Sequence, residues 1–176
     1  MKNWTTIIVL LVLSGCAPKV ISYLNENSKF ETFESYRIVS AKAESKNVNA
    51  MNTQIFDLIK ENITKEMEKR SFINSNVSPD LILRYEVTSS ARTESNSTRD
   101  PFYPVYRINS RTIYESIILL ELLDKNKKLV WQGSFDLRQE RKEKKASKAI
   151  EKAIGYIFTS FPYRALSDQP DESLKN

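Results

Sequence analysis

The sequence predicts an α+β domain whose strands and helices follow one another in the order β-α-β-β-β-α. Apolar residues recur at every third or fourth position in residues 49–70 and 146–161, which is the period of an amphipathic helix. Four further segments alternate apolar with polar residues, or are apolar throughout, over the length of a strand. A short polar connection between the last two of these segments is typical of a hairpin. We therefore expect one four-stranded, mostly antiparallel sheet with both helices packed on one of its faces.

The first strand and the first helix follow from residues 34–70. Large β-forming side chains stand at an extended spacing in about 34–40, and Tyr36, Ile38 and Val39 are among them. The helix then carries an apolar stripe on one side and charged residues on the others, and Asn49 or Asn52 can cap its first turn. The stripe comprises Met51, Ile55, Leu58, Ile59, Ile63 and Met67.

Residues 79–137 contain the other three strands. After Pro79-Asp80, Leu81, Leu83, Tyr85 and Val87 alternate with Ile82, Arg84, Glu86 and Thr88, as in a half-buried strand. Residues 91–111 are polar, and we expect a long loop there. The third strand, Ile113–Leu123, is apolar on both faces, which favours a central position in the sheet. A turn at 124–127 leads to the fourth strand at 129–137.

The second helix follows a charged stretch at Arg138–Lys145, and its apolar stripe is the most regular in the chain. Pro162 ends this helix because proline cannot continue the hydrogen-bonding pattern. Residues 164–176 are polar, and we expect them to form a disordered tail. A single domain is therefore expected over residues 30–163.

The N-terminal residues have the layout of a bacterial export signal. Lys2 is followed by an apolar run, Ile7–Leu13, which is too short to cross a bilayer, since a spanning helix needs about 20 apolar residues. The run ends in Leu13-Ser14-Gly15-Cys16, which resembles the lipobox of bacterial lipoproteins. This resemblance implies a signal peptide over residues 1–15, and a lipid-modified Cys16 with a tether over residues 16–29. The alternative is a transmembrane anchor that contains a chance cysteine.

A lipid on Cys16 implies attachment to a membrane. The diacylglyceryl and N-acyl chains of such a residue would anchor the protein almost permanently, because each buried methylene contributes about 0.8 kcal/mol. Ala17 rather than aspartate follows the cysteine, which resembles the default signal for transport to the outer membrane of Gram-negative bacteria. We therefore expect a location on the outer membrane facing the periplasm. A protein there would not meet nucleic acid, despite its formal net charge of +5.

The composition excludes several kinds of catalytic and binding site. The sequence has no histidine, and its one cysteine is the residue expected to carry lipid. A Ser-His-Asp triad, a Cys-His pair, the usual zinc site and an internal disulfide are thereby excluded. Three glycines in the whole chain also exclude a glycine-rich phosphate loop. We therefore expect a protein that is not an enzyme and that binds neither a metal nor a cofactor.

Four segments carry motifs that recur together in one family of lipoproteins. They are an aromatic opening at Phe30-x-x-Phe33-x-Ser35-Tyr36, a strand start at Asp80–Tyr85, a hairpin formed by Ile118–Asp124 and Lys128–Gly133, and a closing helix that ends in Phe161-Pro162. Over about Phe30 to Pro162 the chain resembles the lipoproteins grouped as domain of unknown function 4136. The hairpin is the most specific of these motifs, because an apolar strand ending in aspartate returns as Leu-Val-Trp-x-Gly. The resemblance implies the fold and the location, and it implies no reaction.

The sheet face that the helices leave uncovered is the main candidate binding surface. If the helices cover the side that bears Tyr36, Tyr85 and Trp131, the opposite side has an apolar centre within a polar rim, as interaction surfaces do. This side comprises Ile82, Arg84, Ile117, Leu119, Glu121, Leu123, Val130 and Gln132. Alternatively, the 91–111 loop folds over it, with contacts from Phe102, Tyr103 and Tyr106.

Several other side chains have two interpretations. Trp131 beside Gly133 marks either a binding spot or, as we favour, a core anchor where the glycine admits close packing. Asp80 and Asp124 are better explained as a strand-start cap and a turn residue than as catalytic acids. A basic run contacts anionic lipid or is simply the solvated entrance of the second helix. This run comprises Arg138, Arg141, Lys142, Lys144 and Lys145.

Three functions are compatible with these observations, and the first is favoured. It is a non-catalytic module of the cell envelope that binds an envelope protein or a cell-wall partner from its membrane tether. The second is a carrier or sensor of a small apolar ligand such as a lipid, which requires an enclosed pocket. The third is a glycan hydrolase, which requires two carboxyl groups about 5–9 Å apart across a cleft. The spacing of Asp80, Glu86, Glu121 and Asp136 does not call for such a pair.

Overall fold

The structure, a computed structural model, describes residues 19–40, 50–99, 106–140 and 146–175. Their strands are β1 (Val20–Leu24), β2 (Ser35–Ser40), β3 (Ile73–Asn74), β4 (Leu81–Arg99), β5 (Tyr106–Asp124) and β6 (Leu129–Asp136). Their helices are α1 (Ala50–Lys69) and α2 (Ala146–Phe158), with short 3₁₀ turns at Phe30–Thr32, Leu137–Glu140 and Glu172–Lys175. Side-chain surroundings are described for 19–40, 53–88, 116–138 and 146–175.

The strands form one mixed sheet in the order β1-β6-β5-β4-β2-β3. The predicted α+β class is confirmed, but the prediction of a four-stranded, mostly antiparallel sheet is wrong, because the sheet has six strands and is mixed. β2 is parallel to both β3 and β4, while the remaining neighbours are antiparallel. The parallel pairing of β2 with β4 follows from α1 between them, since strands that run the same way need a long crossover connection.

β1 lies in residues that we had assigned to the tether, so that assignment is wrong from Val20 onward. The strand pairs antiparallel with β6, with Val20 opposite Phe135 and Leu24 opposite Trp131. Val20 and Leu24 are half-buried and pack against the core. Five residues are too few to establish a period, so the sequence alone did not reveal this strand. Between Cys16 and β1 the chain has only the residues Ala17, Pro18 and Lys19.

The predicted loop at 91–111 is instead a β-ribbon where it is described. β4 and β5 pair without interruption from Leu81 opposite Asp124 to Arg99 opposite Tyr106. Among the described residues, β4 pairs with β2 only as far as Tyr85, and β5 pairs with β6 only from Ile117 onward, so in that part of the chain the rest of the ribbon has no third strand beside it. The hydrogen bonds of this ladder join backbone groups and do not require a repeating pattern of apolar side chains. The polar sequence of residues 91–111 therefore gave no sign of the two strands. Phe102 and Tyr103 lie outside the described residues.

Both helices pack on one face of the sheet, as predicted. That face carries the inward side chains of every long strand, and these are fully buried together with the stripes of α1 and α2. In β4 and β5 the alternation is regular, with Leu83 opposite Leu122 and Tyr85 opposite Leu120. The buried helix residues are Ile59, Ile63, Met67, Ile150, Ala153, Ile154, Ile157 and Phe158.

Trp131 is a core anchor, and the interpretation as a binding spot does not fit its surroundings. The side chain is 0% exposed, and its ring lies 5.4 Å from that of Phe158 and 5.2 Å from that of Phe161. Its indole N–H donates to the Ser160 hydroxyl at 3.2 Å, so the polar end of the ring has a partner inside the fold. Gly133 lies beside this ring, and a Cβ there would stand 2.5 Å from Cγ2 of Ile157.

Arg70 joins the end of α1 to the end of α2. Its guanidinium is almost fully buried, with Nε donating to the Phe161 carbonyl at 2.9 Å and Nη2 to the Phe158 carbonyl at 2.8 Å. Nη1 donates to a Glu66 carboxylate oxygen at 2.7 Å and to the Glu66 carbonyl at 2.9 Å. The last carbonyls of a helix have no partner within it, and a cation at this end also complements the helix dipole. Arg70 therefore caps α2 from another element.

The predicted disordered tail is ordered where it is described, up to residue 175. The Ala165 N–H donates to the Arg70 carbonyl at 2.9 Å, and the Leu166 N–H donates to the Phe33 carbonyl at 2.9 Å. Arg164 pairs with Asp171 at 2.5 Å. Hydrogen bonds from Ser173 together with the Arg164 guanidinium lower the pKa of Asp171 to about 2. Backbone contacts and this ion pair hold the segment although few of its side chains are apolar.

Candidate partner-binding surface

The face of the sheet opposite the helices is here called the open face, and the strand register determines its members. Within the described parts of the chain, no helix or strand packs on it. On it Ile82 lies opposite Leu123, Arg84 opposite Glu121, and Ile117 opposite Asp136. Ile82, Leu119 and Leu123 are half-buried, whereas Ile117 is 43% exposed. The predicted apolar side chains thus lie on this face in two groups, Ile82 with Leu123 and Leu119 with Ile117, and Arg84 and Glu121 lie between the groups.

Polar side chains lie between and beside these two groups and pair with one another. Nη2 of Arg84 lies 2.5 Å from a carboxylate oxygen of Glu121, and the Arg84 side chain is 48% exposed. Gln132 lies next to Glu121 on the neighbouring strand. At the end of β6, Nε of Arg138 donates to the Asp136 carboxylate at 2.7 Å. Because exposed pairs of this kind contribute at most about 1 kcal/mol, they cost little to rearrange when a partner binds.

Val130 was predicted to belong to the open face, and the structure contradicts this. The side chain is only 2% exposed and belongs to the core cluster. The reason is a register shift, in which Trp131 pairs with Leu122 but Leu129 pairs with Leu123, leaving Val130 as the extra residue of a bulge. Alternation along a strand no longer predicts the face once a bulge interrupts it.

Two residues of β1 extend the open face and were missed by sequence reasoning. Ile21 lies opposite Ser134 and Tyr23 opposite Gln132, which places both on the side away from the helices. Their exposed fractions are 67% and 52%, among the highest for large apolar side chains in the described chain. The alternation of Val20-Ile21-Ser22-Tyr23-Leu24 was the available signal, but it is too short to stand out.

The predicted basic run is described only at its edges. Arg138 lies in the 3₁₀ turn after β6 and pairs with Asp136. Arg141, Lys142, Lys144 and Lys145 lie outside the described residues. Lys148 follows in the first turn of α2 and is exposed.

The carboxylates singled out in the sequence have structural partners. Asp80 accepts hydrogen bonds from the Ser35 N–H at 3.0 Å and the Ser35 hydroxyl at 2.8 Å, which joins the starts of β2 and β4. Burial raises the pKa of this carboxyl, but these donors together lower it below its ordinary value. Asp124 accepts from the N–H groups of Asn126 and Lys128, both at 2.8 Å, and so closes the hairpin turn. Both residues have the cap and turn roles that we predicted.

The interior between sheet and helices is filled by aromatic rings. Phe30 stacks on Tyr163 with ring centres 3.9 Å apart, and Phe135 stacks on Tyr156 at 5.4 Å. A groove of about 700 Å³ does run between α1 and α2, but it opens to solvent and is lined largely by charged side chains. Among the described residues, no cluster of acidic side chains could hold a metal ion.

The comparisons identify the family to which the chain belongs. The profile of the domain of unknown function family DUF4136 matches residues 20–163, which is most of the sequence. The chain belongs to the DUF4136 family. The motifs in the aromatic opening, the hairpin and the closing helix therefore carried a correct resemblance. Comparison with curated proteins finds no match to this DUF4136 protein.

Two solved structures are similar to this DUF4136 protein at low sequence identity. A PDZ domain protein from Parabacteroides distasonis aligns over 82% of this chain with a TM-score of 0.55 and 10% identity. The alignment covers 35% of that protein's chain, so this protein spans about a third of its length. The PelC dodecamer from Paraburkholderia phytofirmans aligns over 83% of this chain and 98% of its own, with a TM-score of 0.49 and 9% identity. At such identities the likeness concerns the fold alone.

No helix in the described parts of the DUF4136 protein is both long enough and apolar enough to cross a membrane. The lipobox residues Leu13–Cys16 lie outside the described residues.

Proposed function

We propose that this DUF4136 protein is a lipid-anchored, non-catalytic module of the bacterial cell envelope that binds a partner protein through the open face of its sheet. The observation that carries the proposal is the set of aliphatic side chains on this face, with paired polar side chains between and beside them; the aliphatic residues are Ile82, Leu123, Leu119 and Ile117. A sheet with one face packed on helices usually leaves a polar second face to water. Aliphatic side chains there favour contact with a second apolar surface.

The anchoring part of the proposal comes from the lipobox and from its position. The lipobox cysteine, Cys16, stands three residues before the first residue that the structure describes, Lys19. A lipid at this point would hold the domain at the membrane without a spanning helix. Ala17 favours the outer membrane, and export places the domain on the periplasmic side. The protein would therefore meet envelope proteins rather than nucleic acid.

A binding role fits the side-chain chemistry better than either alternative function does. The sequence lacks histidine, and two of the acidic groups on the open face are paired, Glu121 with Arg84 and Asp136 with Arg138. A carrier of apolar ligands needs an apolar interior space, whereas the groove between the helices is charged. The aliphatic character of the open face favours a protein over a cell-wall glycan as its partner.

Substituting Ile117→Arg together with Leu119→Arg is expected to weaken partner binding at least about tenfold, which corresponds to about 1.4 kcal/mol. Each arginine places a charge among the aliphatic side chains of the open face. A bound partner would remove water from this charge without supplying an opposite charge. Crosslinking of the full-length protein in its native membrane, followed by mass spectrometry of the crosslinked product, measures the effect.

A matched control is available outside the strands of the sheet. Val77 and Leu166 are apolar residues with exposed fractions of 84% and 58%, and neither belongs to a strand. Val77→Arg with Leu166→Arg should leave the crosslinked product at its wild-type level. Both variants should retain the thermal midpoint of the wild type within a few degrees. A folded open-face variant with unchanged crosslinks would contradict the proposed binding surface.

A further inference from the structure

The segment that links the proposed lipid to the folded domain is much shorter than the predicted tether of residues 16–29. Because β1 begins at Val20, four residue steps separate its first residue from Cys16. At about 3.6 Å per residue these steps extend to at most about 14 Å. A tether up to residue 29 would extend to about 45 Å by the same measure. The start of β1 must therefore lie close to any bilayer that holds Cys16.

Two exposed side chains of β1 are large, an isoleucine and a tyrosine. Ile21 and Tyr23 project from the open face one and three residues after the start of the strand, with exposed fractions of 67% and 52%. Tyrosine prefers the interface between a membrane and water, where the ring meets apolar chains and the hydroxyl meets water. Ser22, between them, projects to the other face. The strand thus has one side suited to a lipid surface.

β1 is also an edge strand, which limits how deep it can lie. Within the described chain it pairs with β6 alone, so its outer row of backbone N–H and C=O groups faces away from the sheet. Backbone groups without partners are not tolerated in the hydrocarbon region, but headgroups and water can satisfy them. Lys19, directly before the strand, is exposed. A cation at this point favours the headgroup layer of an anionic membrane.

From the tether length, the exposed side chains and the edge position, we propose that β1 is a second membrane contact, in which Ile21 and Tyr23 enter the headgroup region of the bilayer. This inference rests on the proposed lipid at Cys16 and is independent of what binds elsewhere on the open face. The contact orients the domain. It presents Ile117 and Leu123, further into the sheet, to a partner approaching along the membrane surface.

Depth-dependent fluorescence quenching on the lipidated full-length protein tests the contact. Ile21→Cys, Ser22→Cys, Tyr23→Cys and Val77→Cys each provide one thiol for an environment-sensitive label, because lipid occupies the only natural cysteine. Each protein is placed in vesicles of phosphatidylethanolamine and phosphatidylglycerol that contain a lipid-borne quencher, either near the headgroup or near the end of an acyl chain. The acyl chains on Cys16 are confirmed by mass spectrometry of the same samples.

The proposal predicts several-fold stronger quenching by the headgroup quencher at positions 21 and 23 than at position 22. Position 77, on the opposite edge of the sheet, should show none, and the deep quencher should be ineffective at all four. Equal quenching at positions 21, 22 and 23 would overturn the membrane contact while leaving the lipid anchor intact. Absence of acyl chains on Cys16 would overturn both. Unchanged partner crosslinks in the variant with Ile117→Arg and Leu119→Arg, together with preserved alternating quenching, would overturn only the proposed partner surface.

Discussion

Replacing Arg70 with methionine is expected to lower the free energy of unfolding by about 2–5 kcal/mol. The guanidinium is 1% exposed and donates to the carbonyls of Phe158 and Phe161. The Phe158 carbonyl also accepts from the Phe161 N–H at 3.0 Å. Methionine has similar length but no N–H group, so the buried Phe161 carbonyl would lose this donor and the Glu66 carboxylate would lose its ion pair with Arg70. Chemical denaturation should show a lower midpoint with an unchanged slope.

Arg164 provides the matched control for this prediction. It is also an arginine paired with a carboxylate, but its side chain is 40% exposed, and its partner Asp171 is 28% exposed. Arg164→Met should therefore cost less than about 1 kcal/mol. Arg70→Lys should fall between the two, because a single ammonium keeps the charge but cannot reach both carbonyls with the same geometry. If Arg70→Met proved no more costly than Arg164→Met, the bridge between the two helix ends would be unimportant for stability.

Gly133→Ala is expected to destabilise the domain by about 1–3 kcal/mol, the usual cost of overpacking a core. A Cβ at this position would lie 2.5 Å from Cγ2 of Ile157 and 2.8 Å from Cζ2 of Trp131. The tryptophan ring is rigid and 0% exposed, so it cannot move aside without disturbing its contacts with Phe158 and Phe161. Thermal unfolding followed by circular dichroism measures the shift.

Gly155→Ala should have the opposite effect, since nothing lies within 4 Å of a Cβ built at Gly155. In the interior of α2, alanine is favoured over glycine by about 1 kcal/mol. The same substitution at these two buried or half-buried positions should thus change the free energy of unfolding in opposite directions. Equal shifts at the two positions would mean that the close approach of α2 to β6 at Gly133 is not real.

Periodic patterns predicted the elements that bury a continuous apolar side. The sequence predicted the apolar stripes of α1 and α2 and the alternation in β4 before residue 89, because burial there repeats over two or more turns or pleats. It also predicted the turn at Asp124 from its polar residues. β1 and β3 were not, since five and two residues carry no usable period. Their formation depends on partner strands that lie far away in the sequence.

Alternation along the strands predicted most of the open face, and it failed where the alternation is interrupted. By alternation alone, Ile82, Ile117, Leu119 and Leu123 are expected on this face, and the register places them there. Val130 does not belong with them, because a bulge in β6 has no signal in residue type. Ile21 and Tyr23 belong to the face only because β1 exists. The membrane contact depends on the length of the tether, and this length could not be predicted from the sequence because β1 was not predicted.

The mass of the N-terminal peptide from membrane-extracted protein tests the central claim most directly. If the protein is a lipid-anchored envelope module, trypsin should release Cys16-Ala17-Pro18-Lys19 carrying a diacylglyceryl group and an N-acyl chain. The Cys16→Ser protein should then appear in the soluble fraction with an unchanged unfolding midpoint. A membrane-bound protein whose N-terminal peptide retains residues 1–15, or whose Cys16 is unmodified, would contradict the account.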